Sequence, residues 1–69
     1  MNMLELSKQI LQKVSFDRKL FKKELRKSLR WIQPQERVQL KAWCLATFGA
    51  VYRDVIFEVF ENANLSASF

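Results

Sequence analysis

Apolar and polar positions follow one another along this chain with the period of an α-helix, and the phase restarts twice. Met3, Leu4, Leu6, Ile10, Leu11 and Val14 fall on one side at about 100° per residue, with Asn2 placed to cap them and Glu5 three residues on. This predicts a first helix over 3–14. Ser15 offers a hydroxyl cap to the next element, Asp17 adds negative charge to its first turn, and Phe16 resumes the apolar pattern. A second helix is expected over 16–31. Pro34 then disfavours the α conformation at Gln33 and fits the first turn of a third helix, where Glu36 lies at the positive dipole end.

From Val38 onward Ala42, Trp43, Cys44, Leu45, Ala46 and Phe48 wrap most of the circumference, so this segment is expected to be the most enclosed and central element. Trp43 lies off its main apolar side and needs a contact with the first helix or with an interface. Gly49 could cap this helix or lie inside it at a cost of about 1 kcal/mol relative to Ala. Phase favours the second reading. Leu45, Phe48, Tyr52, Val55, Ile56, Val59 and Phe60 stay on one side through Gly49, and no Asn, Asp, Ser or Pro follows it to build a loop. The expected element runs over 34–62, with a kink or split at Gly49 if anywhere. The remaining 63–69 has no sustained period and reads as a frayed tail.

Composition supports a single all-α domain over 1–62, a small bundle of three helices. The 49% apolar content is too rich for disorder, while one Gly and one Pro leave little turn chemistry for a β fold. A chain of 69 residues removes only about 60% of its unfolded surface from water, so a modest stability and help from a partner are expected.

Charge alters this picture most. Asp17 to Arg30 holds seven cations (Arg18, Lys19, Lys22, Lys23, Arg26, Lys27, Arg30) against two acids, Asp17 and Glu24, which is the whole net charge of +5. On a helical wheel those cations occupy one half-circle, and Leu20, Phe21, Leu25, Leu29, Trp31 and Ile32 occupy the other. Phe21 and Trp31 therefore read as core residues. Ser28 lies in the apolar arc, where its small side chain permits close helix contact and its hydroxyl can bond back to a carbonyl. Glu24 is the one charge on the apolar side; it could pair with Lys27 or Ser28, or with a cation elsewhere.

Solubility alone does not require such crowding. Arg18/Lys22/Arg26/Arg30 and Lys19/Lys23/Lys27 form ladders at i,i+4 spacing, in which like charges repel by a few tenths of a kcal/mol per pair. An ordinary amphipathic helix explains the leucines and leaves the cations over. Two rows with steps of about 6 Å suit phosphate contact along a groove or between two strands of a structured RNA, and the window has no Asn or Gln to read base edges. A competing reading is an adaptor that binds an acidic protein or a second copy of itself. Asp54, Glu58 and Glu61 form an acidic stripe opposed in sign, with Phe57 beside them as a candidate interface contact. A membrane surface fits less well, since the apolar face of the basic helix is needed for the core. The helix-turn-helix pattern also fits poorly, because the cations lie on the first helix of the pair.

Catalytic and metal chemistry find no support. Cys44 is the only cysteine and the chain has no His, so neither a disulfide, a zinc constellation nor a Cys–His pair can be assembled from it. Cys44 reads as a small buried apolar residue. The longest uncharged stretch, 42–52, is far shorter than the roughly 20 residues of a membrane-spanning helix. Glu5 and Lys8 interrupt the N-terminal segment before any secretory core could form. No cofactor, metal or small-molecule substrate is expected.

Lys41 to Gly49, together with Lys13 to Phe21, resembles short hypothetical proteins of Bacteroidetes bacteria over most of the chain up to about Phe60. The resemblance implies a small cytoplasmic bacterial protein and carries over no functional residue. Basic helical proteins of this size are often ribosome accessories, an analogy of class that favours RNA. The reading is thus a non-enzymatic, cytoplasmic binding module whose basic helix contacts RNA phosphates, within a ribosome or other ribonucleoprotein.

Overall fold

The three helices form α1 (Met3–Lys13), α2 (Arg18–Trp31) and α3 (Pro34–Ser68), an all-α bundle. The computed structural model describes residues 2–68, with side chains over 2–61. Asn2 caps α1 as expected, its Oδ1 accepting the Glu5 N–H at 2.9 Å. The cap of α2 differs from expectation. Asp17, not Ser15, accepts the N–H groups of Lys19 at 2.9 Å and Leu20 at 3.2 Å, so α2 starts at Arg18 rather than at 16. A carboxylate satisfies two of the free N–H groups and meets the positive end of the dipole as an anion, which a hydroxyl cannot do. Ser15 instead donates its hydroxyl back to the Gln12 carbonyl at 2.9 Å. Phe16 is left outside the helix and 80% exposed, instead of resuming the apolar face.

Between α2 and α3 the chain turns within two residues. Ile32 adopts extended backbone (φ −92°, ψ 160°) and its side chain enters the core. Gln33 donates its N–H to Glu36 Oε1 at 3.0 Å while its carbonyl accepts the Glu36 N–H at 2.9 Å, so Glu36 closes a box around the start of α3. Arg37 reaches back one helix and donates to the Leu29 carbonyl at 3.1 Å, satisfying one of the acceptors that the end of α2 leaves free.

α3 is bent, and the bend is at Tyr52 (φ −120°, ψ 24°), three residues beyond the glycine where a kink was expected. Its size follows from one contact. Lys41 and Phe57 would be about 24 Å apart on a straight helix, too far for the two side chains to close, yet the Lys41 ammonium lies 5.1 Å from the Phe57 ring. The two arms therefore fold toward each other around Tyr52. Gly49 keeps a negative φ and lies inside the first arm. The helix also continues through most of the segment expected as a tail, to Ser68, since neither Gly nor Pro interrupts it; Phe69 lies outside the described residues.

The elbow redistributes burial along α3. Before it only Leu40 and Cys44 are buried, and Val38, Ala42, Ala46, Ala50 and Val51 are exposed. After it Tyr52, Val55, Ile56, Val59 and Phe60 are all buried. The expectation that the 38–48 segment is the most enclosed element is thus not met, because the elbow turns the second arm, not the first, onto the core. At the centre, Phe21 stacks on Tyr52 (4.5 Å between ring centres, 20° between planes) and meets the edge of Phe48 at 5.1 Å. Trp43 meets Phe48 at 5.5 Å with the Lys8 ammonium of α1 5.8 Å from its ring, so the off-phase indole finds its contact with the first helix.

Candidate nucleic-acid interface

α2 has the most polarised face in the molecule. Its inner side buries Phe21, Leu25, Ser28 and Leu29, and Ser28 donates its hydroxyl to the Glu24 carbonyl at 2.9 Å, as its place in the apolar arc suggested. That packing fixes which way the cations point. Arg18, Lys19, Lys23, Arg26, Lys27 and Arg30 are exposed and Lys22 is half-buried. Lys19, Lys22, Lys23, Arg26, Lys27 and Arg30 line a single open hollow of about 350 Å³ on the outer surface.

Three of the seven cations have acid partners. Arg18 pairs with Asp54 and Lys22 with Glu58 at 2.9 Å, both across to the second arm of α3. Lys27 reaches Glu24 at 3.8 Å, the local pairing that was one option for this acid. Among the described residues Lys19, Lys23, Arg26 and Arg30 form no ion pair. The inter-helix pairs shift the groups involved: the Arg18 hydrogen bond holds the Asp54 carboxyl below its ordinary range and raises the Arg18 guanidinium. The hydrogen bond and then the charge of Lys22 lower Glu58, with smaller help from Arg26 and Arg18.

The acidic stripe and the basic stripe, read from sequence as surfaces that could join copies, thus meet inside one chain along one edge of α2. Glu61 is exposed. Phe57 is half-buried, with Lys41 at 5.1 Å and Arg53 at 5.6 Å over its ring. With Leu45, Gly49 and Ala50, Phe57 and Arg53 line a second hollow on α3. Cys44 is fully buried and desolvation pushes its thiol up to about 12, against a smaller opposing effect of the Lys8 charge.

Sequence reasoning misplaced one aromatic residue of this face. Trp31, expected in the core, is 68% exposed. Ile32, turned inward by the extended backbone that ends α2, takes the core position instead. The signal was present in its wheel position: Trp31 is the last residue of α2 and continues the i+4 row of Lys19, Lys23 and Lys27 at the edge of the apolar arc.

Among the described residues no helix is long and apolar enough to cross a membrane, and no group of three His, Cys, Asp or Glu side chains is placed to hold a metal ion. No family model, curated protein or solved structure matches the chain.

Proposed function

We propose that the outer face of α2 is a sequence-blind contact surface for RNA phosphates, and that the chain is a non-enzymatic, cytoplasmic binding module of a ribonucleoprotein. One observation carries this reading. The acids of α3 neutralise only the Arg18–Lys22 edge, while Lys19, Lys23, Arg26 and Arg30 face solvent without a described acid partner. Like charges at helical spacing repel, and an array of phosphates removes that cost while releasing its own counterions. Arg26 and Arg30 supply planar forks for phosphate oxygens, and the lysines supply point charges. The adaptor reading is weaker, because Asp54 and Glu58, two of the acids it relies on, are engaged within the chain.

The test is RNA binding by fluorescence anisotropy over a salt series. Four contacted phosphates give a slope of log K on log salt of about −3 for single strands. Lys23→Glu with Arg26→Glu should abolish binding, and this pair leaves both inter-helix ion pairs intact. RNA binding that is indifferent to salt, or unchanged in the double variant, rejects the proposal.

A further inference from the structure

Trp31 occupies the next i+4 step after Lys19, Lys23 and Lys27, so one row of α2 presents three ammonium groups and then an indole. Trp31 is 68% exposed, and its ring has no aromatic or cationic neighbour among the described contacts. Trp43, by contrast, is tied to Phe48 and Lys8. At the opposite end of α2, just before its cap, Phe16 is 80% exposed. Exposed aromatic residues thus lie at both ends of the cation rows.

We infer that Trp31 is a stacking platform for an unpaired base, and that the nucleic acid accepted by this face is single-stranded. This rests on the reading of α2 as a phosphate-contact surface. The physical argument is one of geometry. A cationic row alone follows a backbone whether or not its bases are paired, but an indole at the end of the row gains contact only if a base can turn its flat face toward it. In a duplex those faces are occupied by neighbouring pairs, whereas in a single strand they are free. Stacking of this kind is indifferent to base identity, which agrees with a window lacking Asn and Gln.

The experiment compares a labelled twelve-nucleotide oligouridylate with an RNA duplex of the same length, using the full chain. The wild type should prefer the single strand. Trp31→Ala should weaken oligouridylate binding by about 5- to 150-fold, with duplex affinity and the salt slope unchanged. In a Trp43→Phe background, where Trp31 is the sole indole, its emission should be quenched as oligouridylate binds. Trp31→Phe should recover part of the loss, and circular dichroism of each variant establishes that α2 is retained. If Trp31→Ala binds oligouridylate as the wild type does, or weakens both ligands equally, the stacking role is overturned while the phosphate surface stands. If the wild type binds neither ligand at low salt, the phosphate surface itself is rejected and the stacking role with it.

Discussion

Tyr52 donates its phenolic hydrogen to the backbone carbonyl of Ser15 at 2.6 Å, tying the bend of α3 to the turn between α1 and α2. The same side chain stacks on Phe21, so a single residue holds the elbow to both of its neighbours. Removing only the hydroxyl separates the two interactions. Tyr52→Phe keeps the ring and leaves the Ser15 carbonyl without this donor, which should cost about 1 kcal/mol in urea unfolding. Tyr52→Ala also deletes the buried ring and should cost about 3–5 kcal/mol. Equal losses in the two variants would show that the hydroxyl, not the stack, holds the elbow.

The pairs Arg18–Asp54 and Lys22–Glu58 make stability depend on acid. Both carboxyls are lowered in the fold, so the unfolded chain takes up their protons first as pH falls. Their contribution is fully present above the ordinary carboxylate range and is lost as pH drops through the lowered folded values. Both side chains are about half or more exposed, so the contribution is small and screened by salt. Asp54→Asn with Glu58→Gln should flatten the acid limb of a melting-temperature profile measured at low salt. An unchanged limb would show that these pairs are not formed in solution.

Cys44 gives the opposite dependence. Its thiol rises from 9.0 to about 12 in the fold, so above the lower value the unfolded chain loses a proton that the folded chain retains. That contribution is complete below about pH 9 and is lost as pH climbs toward the folded value. Melting temperatures from about pH 8 to 10 should fall more steeply for the wild type than for Cys44→Ala, whose overall stability is lower because of the cavity. A thiol reagent should label native Cys44 slowly and urea-unfolded protein at once. Rapid labelling of the native chain would place the sulfur at the surface.

Most of the bundle is legible in the sequence because it depends on local periodicity. The inward Leu25 and Leu29 of α2, the outward cations, the Asn2 cap and the role of Pro34 all follow from residues within one or two turns, although Leu20, in the same arc, is exposed. Where reading failed, a distant contact or a competing cap decided. Asp17 displaced Ser15 because a carboxylate captures two N–H groups, and that choice left Phe16 outside the helix. Trp31, the last residue of α2, was assigned to the core although it sits at the edge of the apolar arc beside Lys27, and Ile32, which leaves the helix, fills the core there. The pairing of Asp54 and Glu58 with α2 depends on the elbow, and the elbow depends on Tyr52 reaching Phe21 and Ser15, more than thirty residues away in sequence. No local pattern marks it.

Gly49 offers a direct test of where α3 bends. If the flexibility of glycine were what allowed the elbow, replacing it would strain the fold. The backbone argues otherwise: Gly49 has no positive φ, lies within the first arm, and a Cβ added to it meets nothing within 4 Å. Alanine there gains helix propensity and loses no contact, because it reduces the freedom of the unfolded chain without crowding the folded one. Gly49→Ala should therefore stabilise the protein by up to about 1 kcal/mol in urea unfolding, with helical circular dichroism unchanged or slightly increased. The new methyl would enter the hollow lined by Leu45, Ala50, Arg53 and Phe57, which is open enough to receive it. Loss of stability in Gly49→Ala would mean that the bend draws on the glycine after all, and that the Tyr52 contacts follow from the elbow instead of setting it.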